Sequence, residues 1–209
     1  MIHTTVFESE HEQYDAWFLR HKLAYQSELL AVRALLPYQG VGLSIGVGTG
    51  RFAAPLGIQF GLDPVAEMLA YAKKREVTPI LGTGEALPFI DDSFDYALSV
   101  TTICFVNDAR AMLCEAKRIL KPQGTLTIGF IDRDTRLGQH YLKHQADSFF
   151  YQEAKFFSSE DIKTLLQETG FDDLSWVQTL FCLPEESNVI EPIMPGYGQG
   201  AFVAVKGQC

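Results

Sequence analysis

Apolar side chains recur at three- and four-residue steps over residues 11–36, at Tyr14, Trp17, Phe18, His21, Tyr25, Leu29, Val32 and Leu36. That spacing predicts one long amphipathic helix. Pro37 and Gly40 end it. Glu28 falls beside the apolar stripe, where a carboxylate costs free energy unless it is paired. The period then changes. Short apolar runs at 41–45, 58–62, 79–81, 94–100 and 125–131 predict five strands. Helix-spaced segments at 51–56, 65–75 and 109–120 lie between them, and Pro122-Gln123-Gly124 breaks the last. Such alternation predicts a parallel sheet covered on both faces.

Residues 132–157 mix charges with Tyr141, Phe149, Phe150, Tyr151, Phe156 and Phe157. Ser158 with Asp161 fits a capping box opening a helix that runs to Glu168, and Gly170 closes it. Residues 174–181 and 201–205 predict two late strands forming an antiparallel edge, with 184–200 as a long loop. The expected fold is a single α/β domain over residues 1–209. It has a Rossmann-like, mostly parallel seven-stranded sheet with an antiparallel edge strand and helices on both faces.

Composition narrows the function classes. Seventeen basic against 26 acidic residues give a net charge of −9, which disfavours broad nucleic-acid binding. No uninterrupted apolar run reaches the ~18 residues of a membrane span. The start, Met1-Ile2-His3-Thr4-Thr5, lacks a basic region followed by an apolar core, so no signal peptide is expected. Cys104, Cys114, Cys182 and Cys209 form no C-x-x-C pair. A reduced, cytoplasmic protein without a zinc or disulfide framework is the expectation.

The most informative stretch is Leu43-Ser44-Ile45-Gly46-Val47-Gly48-Thr49-Gly50. A strand, a glycine turn and a helix let a ligand touch backbone at the carboxyl end of the first strand. The dinucleotide pattern G-x-G-x-x-G is not met, because the third glycine comes one residue early and Arg51 stands in its place. The phosphate-loop pattern G-x-x-x-x-G-K-[ST] is also absent. Asp63 ends the second strand. A carboxylate there accepts ribose hydroxyls or caps the next helix.

With "LSIGVGTG", "GLDPVAEML", "GTGEALPFIDDSFD" and "EAKRILKPQGTL" in this order, the chain resembles class I S-adenosylmethionine-dependent methyltransferases. It looks most like the small bacterial group akin to the ubiquinone- and menaquinone-pathway enzymes. The resemblance covers residues 40–131 and resumes weakly over 157–171. It implies that Gly46, Gly48 and Gly50 line the methionine part of S-adenosylmethionine. Asp63 and Pro64 would lie at the ribose, and Met68, Thr83, Gly84 and Glu85 near the adenine. Val100 and Thr101 would lie under the sulfonium. Two positions depart from the family, which usually has an acid at Ser44 and commonly Asp at Thr83. Losing a charge-assisted hydrogen bond costs ~1 kcal/mol, about fivefold in affinity.

The resemblance implies methyl transfer to a small-molecule acceptor, with S-adenosylhomocysteine as product; the charge and the lack of a long apolar run lead to the expectation of neither nucleic acid nor membrane as partner. The family's cap corresponds here to residues 7–36 and 132–157. Tyr14, Trp17, Tyr25 and Arg133 are the candidate acceptor or cap contacts, and His140 or Tyr141 the candidate proton acceptor. His140 and His144 share a face at i,i+4, yet no third ligand accompanies them, so no metal is expected. Cys104 reads as a small buried hydrophobe, and Lys73-Lys74-Arg75 as a solvated helix end. Three rivals remain: a non-catalytic S-adenosylmethionine-binding module, a nicotinamide-dependent oxidoreductase and a nucleic-acid methyltransferase. The last lacks an N-P-P-[YF] motif, since Val100-Thr101-Thr102-Ile103 stands in its place.

Overall fold

The computed structural model describes residues 5–148, 150–183 and 186–209. Phe149 of the expected cap and Pro184 of the expected loop lie outside them. Eight strands form one sheet: β1 (Gly42–Ile45), β2 (Phe60–Asp63), β3 (Thr78–Leu81), β4 (Phe94–Val100), β5 (Leu120–Ile131), β6 (Asp172–Thr179), β7 (Met194–Pro195) and β8 (Phe202–Gln208). Their spatial order is β3-β2-β1-β4-β5-β8-β6-β7. The first five strands pair in parallel. β8 runs antiparallel between β5 and β6, and β7 is antiparallel to β6 at the margin. The strand beyond the expected seven is the two-residue β7, inside the expected loop. Its Pro195 sits at an edge, where no N–H is needed for the ladder.

Burial explains the apolar runs. All four residues of β1 are buried, as a central parallel strand covered on both faces requires. Leu43 and Ile45 pack with Met112 and Leu113 of α5 (Ala109–Ile119) and with Ile162 and Leu166 of α7 (Ser159–Glu168). Alternation turns Ser44 to the other face. There Leu98 and Val100 pack with Ala31 and Val32 of α3 (Lys22–Leu35). The capping box is present: Asp161 N donates to Ser158 Oγ at 3.1 Å, and Ser158 N donates to Asp161 Oδ2 at 2.8 Å. Gly170 has φ +81°.

Two predicted helices differ. The segment 11–36 is two helices, α2 (His11–Arg20) and α3, meeting at His21 with φ −109° and ψ 47°. A straight helix rises ~1.5 Å per residue and would carry its N-terminal half off the sheet. The break lets α3 lie against β5, β6 and β8 while α2 crosses the strand ends. A short α1 (Thr5–Ser9) precedes it and touches α4 (Ala66–Lys74). The 51–56 segment forms only turns, because Pro55 has no N–H to continue the ladder. Gly57 at φ +75° closes it. α6 (Arg136–Lys143) occupies the segment after β5. Among the described residues no helix is long and apolar enough to cross a membrane.

Candidate active site

The site is built where β1, β2, β4 and β5 end. β1 runs into Gly46, whose φ is +69° and where an added Cβ would lie 2.2 Å from Thr102 Cγ2. Only glycine lets the chain turn there. The backbone N–H groups of Gly46 and Val47 donate to Leu62 O at 2.8 and 2.9 Å, which ties the turn to β2. Gly48 N donates to Asp63 Oδ2 at 2.8 Å, and Val65 N donates to Asp63 Oδ1 at 3.0 Å. One carboxylate thus joins the glycine loop to the entry of α4. Burial pushes Asp63 up to about 6, against these two hydrogen bonds.

β4 ends in a strained residue. Thr101 has φ +49°, a left-handed conformation costly for a β-branched side chain. Thr102 Oγ1 then donates toward Gly46 O at 3.2 Å and Val100 O at 3.1 Å, closing β4 over β1. Between these loops lies a cleft floored by Gly46, Gly48, Asp63, Pro64, Met68, Val100, Thr101 and Ile131. Its roof is aromatic. Phe7, Tyr14, Trp17 and Phe18 come from α1 and α2, and Tyr141, Phe150 and Tyr151 come from α6 and the segment after it. The two halves meet: Phe7 stacks on Phe150 at 5.8 Å, Tyr14 meets Phe150 edge-on at 5.7 Å, and Tyr151 stacks on Phe105 at 5.9 Å.

Burial, aided by the charges of Asp63 and Glu28, holds the Tyr14 phenol well above its usual range. Burial likewise pushes the Cys104 thiol up to about 12, and Cys104 Sγ donates to Thr101 O at 3.3 Å. Cys104 therefore packs as a small hydrophobe. Glu28 of α3 also faces the cleft, and burial alone pushes it up to about 8.

Of the residues singled out from the sequence, Tyr14, Trp17, Gly46, Gly48, Asp63, Pro64, Met68, Val100, Thr101 and Tyr141 line the cleft. The others lie off its wall. Ser44 is buried in β1. Gly50 packs on Ala72, 3.0 Å from its Cα to an added Cβ. Thr83 bridges to Ala86, and Gly84 sits against Met112 of α5. Glu85 Oε1 accepts Asn107 N at 2.9 Å, while Glu85 Oε2 is buried without a partner among the described residues. Tyr25 donates its hydroxyl to Arg51 O at 2.5 Å. Arg133 pairs with Asp161 at 2.8 Å. His140 lines a different cavity, with Arg136, Lys143 and Cys182, and its ring centroid is 4.3 Å from that of His144. Arg75 is not simply a solvated helix end: it donates to Asp15 and to Thr49 O at 2.8 Å.

Sequence reading missed Phe7, Thr102, Phe105 and Ile131 as walls of the cleft. Nothing local marks them, since each is an ordinary apolar or hydroxyl residue. Glu28 did carry a signal, a charge beside an apolar helical stripe.

The chain matches the family described as "Methyltransferase domain" over residues 43–128. A Thermotoga maritima crystal structure, described as a SAM-dependent methyltransferase and possible histamine N-methyltransferase, superposes with a TM-score of 0.96. It is 50% identical, covering 98% of this chain and 99% of that one. An uncharacterized protein of Methanocaldococcus jannaschii is 41% identical over 97% of this chain and 98% of its own. A demethylmenaquinone methyltransferase of Tropheryma whipplei is 28% identical over 66% of this chain and 69% of its own.

Proposed function

Because the chain belongs to the S-adenosylmethionine-dependent methyltransferases, we propose that it methylates a small-molecule acceptor held beneath its own aromatic roof. The observation that carries this reading is the closure of the cleft by two segments of the same chain, α1–α2 and the residues around Tyr141–Tyr151. A roof of that kind admits a small molecule and shields it from water. We read the whole chain as one domain, with α3 as sheet cover and α1–α2 as the moving part of the N-terminal cap.

The residues present fit the cofactor. An added Cβ at Gly48 would point into the cleft, 3.7 Å from the Tyr14 ring, so the bare backbone leaves a cradle. Asp63 presents a buried carboxylate with lone pairs beyond the two it spends on backbone N–H groups. In this reading Gly46 and Gly48 border the methionine part and Asp63 with Pro64 the ribose. Met68 borders the adenine, reached from its far side by Thr83, Gly84 and Glu85, whose unpartnered Oε2 awaits a donor. When bound, S-adenosylmethionine supplies a methyl group on a sulfonium, whose sulfur departs readily as a neutral thioether.

What this chain must add is alignment of the acceptor, with reacting atoms at ~3–3.5 Å. Val100 and the strained Thr101 hold the floor at that point. The rings of Tyr14, Phe105 and Tyr151 line the cleft and favour a cation within it. Tyr141 lines the cleft and orients the acceptor, whereas His140 faces the other cavity and has no part in this reading.

Incubating the protein with methyl-labelled cofactor and a cell extract, then separating products by size, tests the proposal. Label in the low-mass fraction is the expected result. Label confined to protein or nucleic acid sinks the small-molecule reading. Cofactor binding without label anywhere makes the chain a non-catalytic binding module.

A further inference from the structure

α3 presents small and apolar residues to the sheet, Ala24, Ala31 and Val32 among them, all at or below 1% exposure. Glu28 interrupts this face. It is 6% exposed and borders the cleft, and its carboxyl has no hydrogen-bond partner among the described residues. No lysine or arginine reaches it: Arg51 and Arg75 are both turned to Asp15. A buried, unpartnered carboxyl is among the most costly groups a fold can carry. Met would fill a similar volume without that cost, and Gln would carry no ionisable group.

The surroundings define what would satisfy it. Tyr14, Trp17, Phe18, Phe52, Tyr141 and Tyr151 share the cleft with Glu28. The titratable groups that feel its charge are Tyr14 from α2, Tyr25 on α3 itself and Tyr151 from the segment after α6. All are held neutral by burial, and none is a cation. Among these aromatic rings an entering ammonium group draws the carboxyl into its ionised form and pairs with it. A carboxylate acceptor would bring no compensating charge, and an alcohol or thiol supplies no counter-ion for the ionised carboxyl.

We propose that Glu28 seats the amine nitrogen of the methyl acceptor and takes up the proton that this nitrogen sheds before it reacts. The proposal rests on the small-molecule reading above. The N–H bond of the ammonium breaks with its electron pair left on nitrogen, and an O–H bond forms on Glu28. An ion pair becomes a neutral amine and a neutral acid, so no net charge is created in the dry cleft. Nitrogen then spends its pair on the new bond to the methyl carbon as the carbon–sulfur bond breaks. That bond's pair stays on sulfur, and the positive charge moves to nitrogen. Glu28, a weaker acid and a stronger base through burial, is matched to exchange a proton with an aliphatic amine.

The test uses the full chain with S-adenosylhomocysteine bound, and 2-phenylethylamine and 2-phenylethanol as probes that differ only in amine against hydroxyl. Calorimetry should show the wild type preferring the amine by at least about tenfold, and Glu28→Gln reducing the preference to about threefold or less. The variant should keep S-adenosylhomocysteine affinity within about twofold. Glu28→Gln removes a group whose ionisation opposes folding, so unchanged far-ultraviolet dichroism is expected. Absence of amine preference in the wild type, or its persistence in the variant, overturns the proposal. So does a variant that weakens S-adenosylhomocysteine while leaving methylthioadenosine, which lacks the amino-acid tail, unaffected: Glu28 would then hold the cofactor's own ammonium. Label found only on macromolecules while the amine preference stands would sink the small-molecule reading and leave the Glu28 site in place.

Discussion

Asp15 on α2 and Arg51 behind the glycine loop form a two-pronged ion pair, with Arg51 Nε 2.9 Å from Asp15 Oδ1 and Nη2 2.5 Å from Oδ2. Arg75, just past α4, donates Nη2 to the same carboxylate at 2.9 and 3.0 Å and Nη1 to Thr49 O at 2.8 Å. One side chain therefore pins the roof helix, the glycine loop and the helix after β2. Burial opposes the charge, but the hydrogen bonds from Arg51 and the charges of Arg75 and Arg51 hold the Asp15 carboxyl below its usual range.

Asp15→Asn should therefore loosen the roof without unfolding the sheet. Charge-assisted bonds to a buried group place the cost at ~1–3 kcal/mol. Hydrogen exchange is the direct reading: amides of α2 should speed up while those of β1 and β4 keep their protection. Because the carboxyl is depressed, its contribution is present above the unfolded value and lost as pH falls through the folded one. The wild type should approach the variant's exchange rates in α2 at acid pH. Equal rates at neutral pH would mean the aromatic contacts alone hold the roof.

Gly48 offers a sharper contrast with Gly57. Both have positive φ, +53° and +75°, but an added Cβ at Gly48 faces the cleft and at Gly57 meets nothing within 4 Å. Strain alone is worth ~1–3 kcal/mol at either position. Gly57→Ala should lower the melting temperature and leave S-adenosylhomocysteine binding intact. Gly48→Val should abolish binding, by roughly 100-fold or more, in a protein that still folds. Normal binding by Gly48→Val would reduce the loop to a tight turn and move the cofactor elsewhere.

Asp63 should make cofactor affinity depend on pH. It is pushed up to about 6, and ribose hydroxyls donate to the ionised form. Affinity for S-adenosylhomocysteine should be flat above pH 7 and fall below about 6, by at most tenfold per unit. Asp63→Asn should flatten that profile and weaken binding at pH 8 by ~1.5–3 kcal/mol. A wild-type profile flat down to pH 5 would leave Asp63 only its link between Gly48 and Val65.

Much of this was legible in local pattern. The alternation of apolar runs with helical spacing located β1 to β5 because central parallel strands are buried on both faces. Gly46 and Gly48 and the Ser158–Asp161 cap were legible because they follow from backbone geometry within a few residues. What local pattern missed depends on partners distant in sequence. The break at His21 serves Asp15, whose partners are Arg51 and Arg75. Apolar spacing across residues 11–36 is the same with or without it. The lost helix at 51–56 was readable in Pro55 and was outweighed by spacing. β7 exists only because β6 offers an edge at Val177 and Gln178. In the site, the resemblance named the glycines and Asp63. The Phe7–Phe150 contact joins two ends of a fold that no motif spans.

Glu28 gives a last prediction that does not depend on any ligand. Its carboxyl moves from 4.5 to about 8 on folding, and burial is the sole cause. Below pH 4.5 folded and unfolded chains both carry the proton. Between 4.5 and 8 the unfolded chain sheds it and the folded chain keeps it, so stability falls as pH rises, by at most ~1.4 kcal/mol per unit. Glu28→Gln has no such proton. Its stability relative to the wild type should therefore grow between pH 5 and pH 8, on the order of 2–4 kcal/mol. Asp63 contributes the same slope to both proteins and cancels, and Tyr14, Tyr25 and Tyr151 titrate above this window. Urea unfolding at the two pH values measures the difference. Parallel curves would mean that the carboxyl is ionised and paired in the folded protein, which removes the ground for an ammonium site there. A widening gap in favour of glutamine would show a residue held against the stability of the fold, the trade-off expected of a group kept for function.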